Sequence, residues 1–412
     1  MKALVLKGIG EIGIDEVETP EIGDKEVLVK VGACGICGSD IPRAYKDGAH
    51  NMPLIIGHEF AGTVEAVGSG VDNSWIGKRV GVFPLIPCKK CSCCLDKKYE
   101  MCSNYSYLGS RVDGGFAEYV TVPEWNLLEL PEAVTMEQAA MLEPMAVAVH
   151  AIRQAMGRDL SVVDKDASVV VMGLGTIGLL VTMFLKDAGF NNVYTIGNKE
   201  SQRKMVMELG VDEAHYFTSD GAGDALKADY FFECVGKIES LEAGLSMAAP
   251  SGVVCTVGNP HTDMNIDRGL YWKILRNQLT LVGTWNSSFT KESTDDWHYV
   301  IDRLQRGAVH PEKLISHEYP LEEIIQGFEI MRDKKEEYVK VMGKMYYEPP
   351  PWKTLPFCVV REEALQVLIW FLAVVSAVIA VRHAMRPSAR YFILKLFVAN
   401  GGQSSFLDRS RM

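Results

Sequence analysis

A chain of 412 residues, 48% of them hydrophobic, has enough apolar material for two ordinary cores, which excludes a disordered chain and a small scaffold held by disulfides. Its 42 Lys+Arg against 53 Asp+Glu give a net charge of −11; taking out the eight and four of residues 348–412 leaves 34 and 49, net −15, for residues 1–347. A body that acidic lacks the basic footprint needed for nucleic acid or an anionic membrane, so no nucleic-acid partner is expected.

Met1-Lys2-Ala3-Leu4-Val5-Leu6 runs straight into acidic and glycine-rich sequence without the pattern of a signal peptide, so a reducing, cytoplasmic setting is expected. Short β-like runs punctuated by glycine follow at 26–31, 62–68 and 78–82, and predict a compact β-rich domain. Within it, Cys37 stands in Cys34-Gly35-Ile36-Cys37-Gly38-Ser39-Asp40, and His58 and Glu59 stand in Gly57-His58-Glu59. With Glu143 of Leu142-Glu143-Pro144, these offer a thiolate, an imidazole and a carboxylate, and leave the fourth position open that a catalytic zinc requires. Spacing does not say whether they meet. Read singly, they are also a Cys-x-x-Cys redox pair, a core histidine and a helix-face charge.

Five of the ten cysteines then fall within 15 positions. Cys88-x2-Cys91-x2-Cys94-x7-Cys102 suits a closed tetrahedral zinc site, and the short spacings in a reducing setting favour zinc over disulfides. The even spacing favours Cys94 over Cys93. A closed shell leaves no place for substrate, so the expected role is structural.

From residue 136 the periodicity becomes helical, predicting a helix over 136–156. A strand at 168–172, a helix at 177–188, a strand at 192–196 and a helix at 201–209 follow, with further strands at 230–234, 252–257 and 278–282. This alternation predicts a parallel sheet covered on both faces. Gly173-Leu174-Gly175-Thr176-Ile177-Gly178 fits G-x-G-x-x-G between strand and helix, where the glycines allow a tight turn and close approach of a pyrophosphate to the helix N-terminus. About twenty residues on, where an acidic residue usually meets the adenosine ribose of NAD, stand Gly197, Asn198 and Lys199. Gly197 leaves room for a 2′-phosphate that Lys199 and Arg203 would neutralise, so NADP(H) is favoured over NAD(H). Otherwise those two cations are ordinary solvated charges on a helix face.

Gly57-His58-Glu59-x2-Gly62-x5-Gly68-x2-Val71, the four-cysteine lobe and the dinucleotide fingerprint, in that order, resemble the zinc-dependent medium-chain alcohol and polyol dehydrogenases over residues 1–346. The resemblance implies an α/β fold: a β-rich GroES-like catalytic domain of residues 1–150, to which 290–347 return, and a Rossmann doubly wound parallel-sheet domain of 151–289. It also implies a homodimer or homotetramer and two Zn2+ per chain. Cys37, His58 and Glu143 would converge on the catalytic zinc between the domains, with Glu59 a ligand or a nearby catalytic carboxylate.

That zinc would lower the pKa of a secondary hydroxyl, hydride would pass from its carbon to the nicotinamide, and Ser39 would pass the proton outward. Many alcohol dehydrogenases continue this relay through a histidine five residues after the cysteine; Pro42 stands there. Glu143, where ethanol-type enzymes carry cysteine, and the stretches 37–43, 46–50, 108–111 and 113–119 are similar to the polyol-phosphate members. A phosphorylated polyol needs local cations in so acidic a body, and Arg43, Lys46, His50 and Arg111 lie on those stretches. Sorbitol-type and ribitol-5-phosphate-type substrates compete with that reading, and a non-catalytic dinucleotide-binding relative would not need the open metal set.

After Glu348-Pro349-Pro350-Pro351-Trp352, residues 364–381 form an uncharged and mostly apolar run of 18, just long enough for a membrane span. Arg382, Arg386, Arg390 and Lys395 after it would face the cytoplasm and put the dehydrogenase outside, away from its cofactor. Membrane contact is therefore not favoured, and residues 348–412 read as a packing helix or an extension of accidental origin.

Overall fold

The computed structural model describes residues 1–221 and 226–345; the apolar run at 364–381 lies outside the described residues. Among them, no helix is long and apolar enough to cross a membrane.

Val27, Val29 and Val31 alternate along strand β1 (Glu26–Ile36) and are wholly buried. β1 pairs antiparallel with β2 (Glu59–Val67), which places Gly35 opposite Glu59. The sheet continues through β3 (Arg79–Val82), while β4 (Tyr119–Pro123) pairs with β1 and β5 (Leu127–Glu129) with β3. Leu85–Ile86 and Ser106–Tyr107 form a two-residue ribbon, and the cysteine lobe loops out between its strands.

Where the periodicity predicts one helix over 136–156, the chain forms two, α1 (Met136–Ala140) and α2 (Leu142–Met156). Pro144 supplies the reason: it has no N–H for the carbonyl of Ala140, so one helix cannot run through it, whereas the first turn of a new helix accepts proline. The break puts Glu143 in the first turn of α2.

The alternation predicted next is present as β6 (Val169–Met172), α3 (Thr176–Asp187), β7 (Val193–Ile196), α4 (Glu200–Glu208), β8 (Tyr216–Phe217), β9 (Ala228–Glu233), α5 (Ile238–Met247), β10 (Ala248–Thr256), α6 (Arg268–Arg276) and β11 (Thr280–Gly283). The six strands are parallel in the order β8-β7-β6-β9-β10-β11. This is the dinucleotide-binding order, whose crevice opens where the winding reverses, between β6 and β9. Val169, Val170 and Val171 are fully buried, as a sheet covered on both faces demands.

Beyond β11, α7 (Asp296–Gln305) packs on α2, and β12 (Ile315–Pro320), α8 (Ile324–Asp333) and β13 (Lys340–Lys344) follow. β13 enters the first sheet beside β1, with Val341 opposite Ile36. Phe83, Phe289 and Trp297 interlock with ring centroids 4.8–5.8 Å apart, so residues before and after the parallel sheet share one core.

Candidate active site

Cys37 follows β1 directly, His58 precedes β2 and Glu59 opens it, so the pairing of these strands brings together side chains that spacing alone could not. One ligand atom from each of Cys37, His58 and Glu59 lies within 4.8 Å of the other two. Gly35 makes the room: a Cβ there would sit 2.4 Å from Glu59 Oε2.

Ser39 Oγ donates to Cys37 Sγ at 3.3 Å, and the Cys37 amide donates to Asp40 Oδ2 at 3.0 Å. Asp40, fully buried, also pairs with Arg43 and faces His58 Nδ1 at 3.4 Å, an ion-pair distance without hydrogen-bond geometry. Burial would raise the Asp40 pKa, but His58, Arg43 and the Cys37 amide outweigh it and hold the carboxyl below its usual range. Burial likewise opposes the charge on His58, and Asp40 with Cys37 raise its pKa well above the ordinary value. Thiol, imidazole and carboxylate, with an acid behind the imidazole, suit a zinc-type cation, which prefers such donors and an oriented histidine.

Glu59 Oε2 meets Lys340 Nζ at 2.5 Å, and the same ammonium donates to the Ile36 carbonyl at 3.1 Å. Burial works against the Lys340 charge, yet Glu59 and Cys37 outweigh it and raise the pKa. Glu143 lines the same cleft without belonging to the tight set of three. Its carboxylate accepts from the Tyr107 hydroxyl at 3.2 Å, and burial pushes its pKa up to about 7. The Tyr107 ring stands edge-on to His58 at 5.7 Å.

The cleft encloses about 860 Å³ and is walled by the metal set, Ile177 of the glycine loop and a segment bearing Thr284, Trp285 and Asn286. Arg43, Lys46, His50 and Arg111 all line it, as does Ser39. Arg43 is committed to Asp40, whereas Arg111 lies 4.3 Å over the Tyr105 ring. Among the described residues, Lys46, His50 and Arg111 form no ion pair with a carboxylate.

In the glycine loop, Gly173 has φ +97°, and a Cβ on Gly178 would fall 1.9 Å from the Gly173 carbonyl oxygen, so both positions require glycine. Gly175 faces open space, and Thr176 Oγ1 donates to the Val339 carbonyl at 2.8 Å. At the end of β7, a Cβ on Gly197 would meet Leu174 and Gln202 at 2.7 Å. Asn198 gives its amide to Gln202 and accepts from the Ser219 amide. Arg203 pairs with Glu200 and Glu213, whereas Lys199 forms no ion pair among the described residues.

In the cysteine lobe, the Sγ atoms of Cys88, Cys91, Cys94 and Cys102 lie within 4.8 Å of one another, and Cys93 is outside the set. The Cys88–Cys94 and Cys91–Cys102 separations are each 3.9 Å. A disulfide needs about 2.05 Å, whereas a tetrahedron with Zn–S of about 2.3 Å has edges near ~3.8 Å. The amides of Cys94 and Ser103 pull the Cys91 thiol down while burial pushes Cys94 up, so a cation is what would ionise all four together.

Four of these groups carry no signal of their own in the sequence: Lys340, Tyr107, Asn286 and the Val339 carbonyl reach the site only through the fold. Asp40 has one, as a carboxylate three residues after Cys37, placed to stand behind a metal-bound histidine.

Residues 23–132 match the alcohol dehydrogenase GroES-like domain, and residues 136–342 match the glucose dehydrogenase C-terminus. The chain is 32% identical over 336 residues to the galactitol 1-phosphate 5-dehydrogenase of Escherichia coli strain K12, spanning 79% of this chain and 95% of that protein. It is 31% identical over 360 residues to a sorbitol dehydrogenase of Halalkalibacterium halodurans, spanning 83% and 98%. The crystal structure of galactitol-1-phosphate dehydrogenase from Escherichia coli superposes with a TM-score of 0.75 at 31% identity, covering 84% of this chain and 100% of that one. A zinc-binding dehydrogenase of Sinorhizobium meliloti 1021 bound to NADP gives 0.74 at 27%, covering 83% and 98%. An alcohol dehydrogenase of Escherichia coli CFT073 complexed with NADH gives 0.74 at 27%, covering 84% and 99%. With both halves matched in order around one cleft, the chain belongs to the zinc-dependent medium-chain alcohol and polyol dehydrogenases.

Proposed function

We propose that the chain moves a hydride between a secondary hydroxyl of a polyol phosphate, of the galactitol 1-phosphate type, and NADP(H). The observation that carries this reading is the convergence of Arg43, Lys46, His50 and Arg111 on the cleft that holds Cys37, His58 and Glu59. In a body of net −15, Lys46 and Arg111 supply cations without a carboxylate partner among the described residues, beside Arg43 and His50, and such a grouping suits a dianionic substrate group.

Cys37, His58 and Glu59 would hold the catalytic zinc, with Glu143 beside them, and the four lobe cysteines a second, structural one. Bound there, zinc supplies the Lewis acidity that eases loss of the hydroxyl proton. Ser39 Oγ, already against Cys37 Sγ, takes that proton toward the cleft mouth. Tyr107 fixes the Glu143 carboxylate, and Asp40 sets the His58 ring. The loop Gly173, Gly175, Thr176, Ile177 and Gly178 seats the pyrophosphate, and Ile177 at the cleft wall backs the nicotinamide against the substrate carbon. In this division of labour, residues 1–150 with 290–347 carry the metal and substrate, and 151–289 carry the dinucleotide.

The lack of a carboxylate at the end of β7 and Lys199, which forms no ion pair among the described residues, support NADP(H), while Arg203 pairs with Glu200 and Glu213. Among the described residues β11 is an edge strand, and its exposed Leu281, with Tyr271, Trp272 and Leu275 exposed on the preceding helix, supports self-association of two copies. The cofactor and substrate point to a cytoplasmic enzyme.

A panel of galactitol 1-phosphate, galactitol, ribitol 5-phosphate, sorbitol and simple alcohols, each with NADP+ and NAD+, tests the reading. The highest kcat/KM is expected for galactitol 1-phosphate with NADP+. Equal values for galactitol and its phosphate would overturn the phosphate site, and a lower kcat/KM with NADP+ than with NAD+ would overturn the cofactor choice. Sorbitol as the best substrate would favour the second reading, which the sorbitol dehydrogenase relative supports.

A further inference from the structure

Two hydrogen-bonded contacts one residue apart run from the dinucleotide loop to the metal set. Thr176, the first residue of α3, gives its hydroxyl to the Val339 carbonyl at 2.8 Å, across 163 positions of sequence. The next residue, Lys340, begins β13 and reaches the other way, with Nζ on the Ile36 carbonyl at 3.1 Å and on Glu59 Oε2 at 2.5 Å. Ile36 adjoins Cys37, so one buried ammonium touches both strands that present the metal set.

The link has little slack. Lys340 is 2% exposed and Glu59 1%. The strand is pinned on its far side, since Ser316 Oγ accepts from the Val339 amide and donates to the Lys340 carbonyl. Glu59 is backed by Gly35, where even a methyl group would collide with its carboxylate. A shift of the Val339 carbonyl therefore passes to Lys340 and from there to Glu59, because a packed interior transmits displacement instead of absorbing it.

We propose that Thr176 and Lys340 are positioning residues that couple dinucleotide occupancy to the metal shell. A dinucleotide seated on Gly173–Gly178 orders the first turn of α3, the Thr176 hydroxyl fixes Val339, and Lys340 thereby sets Glu59 against Cys37 and His58. The metal is held more tightly when the dinucleotide is present, and by linkage the dinucleotide is held more tightly when the metal is present. The proposal rests on the assignment of the metal to Cys37, His58 and Glu59 and of the dinucleotide to the glycine loop.

The test is the rate at which a chelator strips zinc from the full-length protein, with and without saturating NADP+ or NAD+. Saturation is checked for each variant by fluorescence titration, and the catalytic-site zinc is identified as the fraction missing from Cys37→Ala. In the unsubstituted protein the dinucleotide is expected to slow loss of that fraction about tenfold, the fold-change of a typical coupling between sites. Thr176→Val, which keeps the shape and removes the hydroxyl, is expected to cut the protection to less than about twofold, and Thr176→Ser to restore it. Simple shielding of the cleft by the dinucleotide would protect Thr176→Val equally, and that result would overturn the link while leaving the site assignments intact. No dinucleotide effect in the unsubstituted protein would also overturn it. A protein with no zinc fraction sensitive to Cys37→Ala would overturn the site assignment and the link together.

Discussion

Lys340 and Glu59 meet at 2.5 Å with both side chains nearly excluded from water, 281 positions apart in the chain. Burying two charges is costly, and removing one partner leaves the other uncompensated, at a loss of about 3–5 kcal/mol. Lys340→Met should therefore destabilise the protein by that amount in urea denaturation. Without dinucleotide, the loss should be smaller with zinc bound than after chelation, since a bound cation also neutralises Glu59. Equal losses in the two states would count against Glu59 as a zinc ligand.

The two metal assignments make separate predictions for elemental analysis. The full-length protein should carry two zinc per chain, Cys94→Ser should lose one, and Cys93→Ser should keep both, because Cys93 stands outside the lobe's thiol set. Cys37→Ala or His58→Ala should lose the other zinc and almost all turnover while still binding dinucleotide. Retention of both metals by Cys94→Ser would remove the structural site.

Arg111 has its guanidinium over Tyr105, donates to the Tyr105 carbonyl at 3.3 Å and has no carboxylate partner among the described residues, so its charge is available to a phosphate. A hydrogen bond to a charged group contributes about 1.5–3 kcal/mol, equivalent to about tenfold to hundredfold in binding. Arg111→Gln should raise KM for galactitol 1-phosphate by that factor with little change in kcat. The kcat/KM for unphosphorylated galactitol should stay within about twofold. A parallel fall for both polyols would mark Arg111 as a packing residue of the cleft wall.

Asp296 ties α7 to α2, the helix that presents Glu143. It accepts from His150 Nδ1, from Arg153 and from the Ser288 amide, each at 2.8 Å. Burial would raise its pKa, but these partners outweigh burial and lower it. Because the folded value lies below the unfolded one of about 3.9, the stabilisation is present above that pH and is lost as pH falls through the folded value. Asp296→Asn should thus cost about 3–5 kcal/mol at pH 7, and the cost should shrink as the pH falls below about 3.9 toward the folded value. Urea denaturation across the acidic range measures the trend; a cost independent of pH would assign the loss to packing alone.

What the sequence shows and what it hides divide along one physical line. The glycine loop and the cysteine lobe are each made by neighbouring residues, so Gly173–Gly178 and Cys88–Cys102 declare themselves by spacing. The strand and helix bounds of the parallel sheet follow for the same reason, and the exception, the break at Met141, turns on Pro144, whose effect is local and could have been read. Cys37 and His58 became a pair only by family resemblance, since their meeting is a matter of strand register. Lys340 and Tyr107 carry no local signal, because one arrives with the last described strand and the other at the exit of the lobe. The carboxylate of Glu143, expected in the zinc shell, lies outside the tight set of three and meets Tyr107, a partner that no sequence pattern encodes.

The ribbon from which the cysteine lobe hangs pairs Leu85 with Tyr107 and Ile86 with Ser106. The chain thus leaves and re-enters the catalytic body at a single gate, and the loop between leans back on that body through Lys89 and Tyr99 on Trp125 and Lys97 on Glu292. What the cleft draws from this excursion is two rings at its exit, Tyr105 and Tyr107.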